Sequence, residues 1–177
     1  METTNNELSP YASMFFLKLS NYLDTKLYYF GSVQRQDYFQ SSDIDVAIFS
    51  ENLDSTLNKM QNYLNLKREK FKKFVWRLNA NNKVVNGYKL MIKQPEHNFV
   101  AEFSIFDEKY KDDILFAYNE KKDLPFYATI MLIIVKFFYY TLGVIPKDIY
   151  ISVKKYILTN VIGKPEDNFV VIDMKDK

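Results

Sequence analysis

Two short apolar runs, LYYF at residues 27–30 and IDVAIFS at 44–50, bracket a polar stretch that opens with Gly31-Ser32 and closes with Asp43. Both have the length and the β-branched and aromatic content of buried strands, so the chain must place two strands on either side of a polar loop. Residues two apart on a strand point to the same face. Asp43 and Asp45 therefore present both carboxylates on one side, while Ile44 and Val46 go to the other. Paired like charges repel unless a cation lies between them, and hard carboxylate oxygens at a cleft suit Mg²⁺ (or Mn²⁺), which keeps several waters and completes its shell with substrate phosphates. Gly31 lets backbone amides approach a triphosphate closely, and Ser32 offers a hydroxyl and an amide to a phosphate oxygen. An Asp-x-Asp pair alone is common on solvated strand ends. Its weight here comes from the Gly-Ser that follows one apolar strand and the VAIF that continues the next.

Around this segment the periodicity predicts further elements. Ser9-Pro10 is a good helix start, and Met14, Phe16, Leu17, Leu19 and Leu23 recur at helical spacing over about 9–24. Residues 52–66 place Leu53, Leu57, Met60 and Leu64 on one stripe of a second helix. Three strands follow, at 74–78, 87–93 and 99–106, separated by the turn-rich NANNK and QPEHN. The charged residues 107–123 read as a solvated connection with a helical turn in the middle. A helix runs from Leu124 or Pro125 to about Leu142, and Pro146 opens another with Ile149, Val153, Tyr156 and Ile157 as its apolar stripe. The expectation is a mixed α/β (α+β) layer domain. Its sheet has about five strands with flanking helices. Residues 1–123 form the body, 124–162 a helical segment packed on it, and 163–177 a loosely held extension.

Composition removes several alternatives. A chain of 177 residues, 47% hydrophobic, can bury one core and has little room for a second. Its net charge of +2 gives no electrostatic reason to bind nucleic acid along a whole face, so any such contact must be local. With no cysteine there is neither a disulfide framework nor a thiolate metal site. METTNNELSP lacks the basic start and apolar run of a secretory signal, which leaves an intracellular, cytoplasmic protein as the expectation. The abundance of Asn, Lys, Tyr, Phe and Ile beside only four Gly fits an AT-rich genome, such as that of a virus or other mobile element. The apolar run at 126–145 approaches membrane-spanning length, but Lys136 near its middle, with Pro125 and Gly143 framing it, argues for a globular helix and no membrane contact.

Phe30-Gly31-Ser32 followed by Asp43-Ile44-Asp45-Val46 resembles the nucleotidyltransferase superfamily. That superfamily includes DNA polymerase β-like enzymes, non-templated poly(A) polymerases, aminoglycoside nucleotidyltransferases and minimal antitoxin-type nucleotidyltransferases. Arg35 and Ser42 stand where many relatives carry the arginine of Gly-Ser-x-x-Arg-Gly and the serine of Ser-Asp-x-Asp, whereas Gln36 replaces a usual glycine. The match is close over 27–50 and elsewhere rests on the order of elements. It implies a nucleotidyltransferase fold and a third carboxylate on a later strand, for which Glu102 is the better candidate than Asp107. It also implies nucleotide contacts from Gly31, Ser32, Arg35 and Ser42, and metal ions on Asp43, Asp45 and Glu102. Similar helices in poly(A) polymerases carry a phosphate-contacting lysine, so Lys136 has two readings, as a phosphate ligand or as a solubilising charge that snorkels to the surface. Trp76, Tyr139 and Tyr140 read as core or as base-stacking aromatics.

The implied activity is transfer of a nucleoside monophosphate from an NTP, with ATP favoured, to an RNA 3′ end. A protein partner or a homo-oligomer would then help to hold the RNA. Transfer to a protein or small molecule, and an inactive binding subunit of the same fold, are the alternatives.

Overall fold

The computed structural model describes residues 4–79, 81–163 and 168–172. In chain order the elements are α1 (Pro10–Leu23), β1 (Leu27–Phe30), β2 (Ile44–Ser50), α2 (Leu53–Leu64), β3 (Lys72–Arg77), β4 (Val84–Gln94), β5 (Phe99–Asp107), α3 (Lys111–Asn119), α4 (Phe126–Lys136), α5 (Lys147–Tyr156) and β6 (Asn168–Ile172). α1 starts where Ser9 Oγ accepts the Ala12 amide with Pro10 in the first turn. It ends where Asp24 turns left-handed. α2 is capped in the same way, by Asn52 at its start and a left-handed Asn65 at its end.

The strands form one mixed sheet in the order β1-β2-β5-β4-β3-β6, in which β2 and β5 are parallel and every other pair is antiparallel. Alternation along the strands feeds two cores. On one face Ile44, Val46, Ile48, Phe103 and Ile105 pack against Phe16 and Leu19 of α1 and Leu57 and Met60 of α2. On the other, Ala47, Phe49, Phe74, Trp76 and Phe106 pack against Ile114 and Ala117 of α3. A third, smaller cluster joins Ala128 and Leu132 of α4 to Ile157 just beyond α5.

Three sequence expectations change. The charged connection at 107–123 contains α3, because Ile114 and Ala117, three residues apart, turn to the sheet while the charges face water. The sheet has six strands, since β6 from the expected loose extension pairs with β3. Residues 164–167 and 173–177 of that extension lie outside the described residues. In α5 the buried side is set by Tyr150, with Val153 partly covered, whereas Ile149 and Tyr156 are exposed. Among the described residues no helix is long and apolar enough to cross a membrane. The apolar run 126–145 is α4 followed by a π-helical turn at Phe137–Thr141.

If α3 is a core element, Ile114→Ala should lower stability by about 2–5 kcal/mol, the range for truncating a buried aliphatic side chain. Urea unfolding measures this. A loss within about 0.5 kcal/mol, as at exposed positions, would return α3 to the status of a surface connection.

Candidate active site

The parallel pairing of β2 and β5 sets Asp45 opposite Glu102, so the two carboxylates leave neighbouring strands side by side. Asp43 lies one residue before β2 and accepts a hydrogen bond from the Tyr140 hydroxyl at 3.3 Å. Burial, reinforced by the charges of Asp43 and Glu102, pushes the Asp45 carboxyl up to about 7. Lys89 of β4 reaches diagonally across the sheet to an ion pair with Glu102. Asp107 is elsewhere. It pairs with Ser50 at the far end of β5, where its carboxylate caps the following turn and binds Lys109 at 3.0 Å. Of the two candidates for a third acid, the sheet brings only Glu102 to Asp45.

Gly31 is required here for two reasons. Its φ of +70° is left-handed, and a Cβ at this position would collide with the Asp45 carboxylate. Tyr118 of α3 closes the same region, its ring stacked on Phe30 at 3.9 Å. Burial first, and then the Asp45 charge, raise the Tyr118 hydroxyl well above its ordinary value, which keeps it protonated. Among the described residues no group of three or more Asp, Glu, His or Cys side chains is gathered as a ready metal cage. Asp43 and Asp45 nevertheless supply two hard oxygen donors. That number suits Mg²⁺, which takes the rest of its shell from water and phosphate.

The loop between β1 and Asp43 is held from several sides. Asn6 Nδ2 donates to the carbonyls of Val33 and Arg35 at 2.9 and 2.7 Å, and Asn5 Nδ2 donates to that of Gln34 at 2.8 Å. Asp37 is fully buried and takes a two-point bond from Arg35, with Nε at 2.7 Å and the second guanidinium nitrogen at 3.1 Å. Lys136 completes the group, its Nζ 2.6 Å from the Asp37 carbonyl oxygen and 3.0 Å from Oδ2. Burial alone would raise the Asp37 carboxyl, but Arg35 and Lys136 outweigh it and hold it below the usual range. Burial lowers the Lys136 ammonium to about 8 against the pull of Asp37. Lys136 is 1% exposed, so it does not snorkel to the surface as the sequence also allowed.

A cavity of about 480 Å³ opens beside Asp43. Arg35, Lys93, Lys121, Lys147, Lys154 and Lys155 line it, together with Tyr139, Tyr140 and Tyr150. Tyr139 and Tyr150 stack on one another at 4.3 Å. Of the residues expected at a nucleotide, Arg35 lines this cavity. Gly31 lines a smaller, polar one of about 230 Å³, and Lys121 borders both. Ser32 and Ser42 are buried, and neither they nor Lys136 line the larger cavity. Sequence reading missed Asp37, Lys89, Tyr118, Tyr150 and Lys154. For the α5 residues a signal existed, since Lys147, Tyr150, Ile151, Lys154 and Leu158 recur at helical spacing on one basic and aromatic face. Lys89 and, through Lys136, Asp37 find partners on other elements of the fold and carry no local pattern.

Residues 18–94 match the family model described as polymerase beta, nucleotidyltransferase. That segment takes in Gly31, Asp43 and Asp45 and stops before Glu102. Among solved structures, the chain is similar to Cid1, described in one case for its RNA terminal uridylyl transferase activity and in another as a poly(U) polymerase. The identities are 18% and 16% over 75% of this chain, with TM-scores of 0.44 and 0.40. It is also similar to the GLD-2/RNP-8 complex, at 14% identity over 84% of this chain and a TM-score of 0.40. The chain spans 43%, 42% and 52% of these solved chains. No curated protein matches the sequence.

Two outcomes are expected. Asp45 has a folded-state pKa above its unfolded value, so its favourable contribution is complete below about 4, the ordinary carboxylate pKa. That contribution is lost as pH rises through about 7. Asp45→Asn should therefore raise thermal stability over the native chain increasingly from pH 4 to pH 8, and Mg²⁺ should stabilise the native chain more at pH 8 than at pH 5. A pH-independent difference between the two proteins would contradict the charge crowding. Separately, Lys136→Met should cost about 1–3 kcal/mol in urea unfolding, because it strips one cation from a buried carboxylate while Arg35 keeps its hold. Unchanged stability would show that Arg35 alone satisfies Asp37.

Proposed function

We propose that this chain, whose residues 18–94 match the polymerase beta nucleotidyltransferase family model, is a Mg²⁺- or Mn²⁺-dependent enzyme that transfers a nucleoside monophosphate from an NTP to the 3′ hydroxyl of RNA. The observation that carries the reading is the basic, tyrosine-lined cavity that opens against Asp43. Its volume of about 480 Å³ lies within the usual range for small-molecule sites. In this reading Arg35 and the lysines of α5 take the triphosphate, and the tyrosines flank the base. Lys136 serves differently, holding through Asp37 the loop that carries Arg35.

Asp43 and Asp45 are the metal ligands, and Glu102 is the group placed to receive the acceptor's proton. A divalent cation bound there supplies Lewis acidity, lowering the pKa of the acceptor hydroxyl and neutralising charge on the phosphates. The acceptor oxygen forms a bond to the α-phosphorus as the bond to the β-phosphate bridge breaks, and pyrophosphate leaves. Cations from the loop, from β4 and from α5 all face one cavity, which leaves some for the phosphodiester of an acceptor strand as well as for the NTP. An unstacked terminal base also suits tyrosine faces.

The test is incubation with each labelled NTP and Mg²⁺ or Mn²⁺, in the presence of RNA, of DNA, and without added acceptor. Label is expected in RNA and should vanish in Asp43→Ala and Asp45→Ala. Glu102→Gln should lower the rate by on the order of 10²–10⁴ with little change in NTP affinity, and Asp107→Asn should be nearly silent. Label confined to protein would replace the acceptor with a side chain. No label under any condition would remove the enzymatic reading.

A further inference from the structure

Between Pro125 and Pro146 the only charged residue is Lys136, and it is turned inward onto Asp37. The inner side of α4 is accounted for, with Ala128, Thr129, Leu132 and Lys136 all buried. Its opposite side carries Phe126, Tyr127, Ile130 and Ile134 and continues through Phe137 and Phe138 of the π-helical turn, with side chains 39–75% exposed. At helical spacing these fall on one arc facing away from the protein. With roughly 200 Å² for a large side chain, about half of it exposed, these six together with Met131 and Leu142 present on the order of 800 Å² of apolar surface. A typical monomer's largest apolar patch is about 300–600 Å². About 800 Å² is what each partner contributes to a standard interface.

We propose that this face is the contact between two copies of the chain, with α4 and the turn after it packed against the same elements of a second copy about a two-fold axis near Ile134. In such an interface the patch meets itself, so any charge on it would face its own like. This patch has none, because burial of Lys136 removes the segment's only charge. Its aliphatic and aromatic composition is also that of homodimer contacts, which are more apolar than transient ones. A helix lying on a lipid surface carries lysine or arginine along its polar flank. Here the flank is packed into the protein instead. The inference stands on the surface of α4 alone and is independent of the acceptor proposed above.

Sedimentation velocity of the full chain over a wide concentration range should show a dimer. Ile134→Glu combined with Phe138→Glu should weaken dimerisation at least tenfold without changing the far-ultraviolet circular dichroism, since both side chains are exposed. The chain has no cysteine, so Ile134→Cys adds a single thiol. Mild oxidation or a short bis-maleimide should join most of that variant into covalent dimers while leaving Lys18→Cys, on α1, monomeric. A native chain that stays monomeric at every concentration, or a dimer that survives the double glutamate variant and fails to cross-link through residue 134, would overturn the proposal. So would a monomer that floats with phosphatidylcholine–phosphatidylglycerol vesicles, which would assign the face to a membrane surface.

Discussion

Asp37 has no exposed surface, and a buried carboxylate without cations is among the most expensive groups a fold can carry. Much of this molecule's arrangement follows from how that cost is met. Arg35, two residues earlier, supplies one cation by bending the loop back on itself. Lys136 supplies the other from almost a hundred residues away. Because both must reach one carboxylate, α4 is tethered to the loop that leads into Asp43. The wall of the basic cavity and the Asp43 end of β2 are thus tied to one ion-paired unit.

The second organising constraint is electrostatic crowding of the opposite sign. Asp45 is crowded by the charges of Asp43 and Glu102 as well as by burial, and Lys89 of β4 lends Glu102 a counter-charge. A hydrophobic replacement for Asp45 would be easier to fold. In the proposed reaction a cation would relieve that crowding, so local instability and the proposed binding capacity would have one physical source.

What could be read from the sequence was whatever had a local period. β1 and β2 were legible because Tyr28, Tyr29, Val46 and Ile48 sit in short apolar runs next to a glycine and an aspartate pair, and α2 was legible from Leu57 and Met60 on one stripe. The register that pairs Asp45 with Glu102 was not legible, because it depends on two strands whose connection includes a helix and two further strands. α3 showed only as a helical turn because its fully buried residues, Ile114 and Ala117, lie within a stretch dense in charges. β6 was hidden because a strand added at a sheet edge needs only a partner, not a pattern of its own. Lys136 misled in a different way: an amine in an apolar helix suggests an escape to water or a ligand, and its actual partner, Asp37, lies in a loop that shows no sign of helix contact.

The parallel pairing of β2 with β5 also bears on how the molecule comes to be folded. Asp45 and Glu102 are neighbours in space but belong to segments separated by α2, β3 and β4. A chain emerging from synthesis holds β2 with an unpaired inner edge until β5 arrives, and that wait is the interval in which an open strand invites the wrong neighbour. The carboxylate cluster assembles in the same event that closes the edge. An incompletely folded chain therefore lacks the juxtaposed carboxylates, and whatever they do depends on the edge having closed correctly.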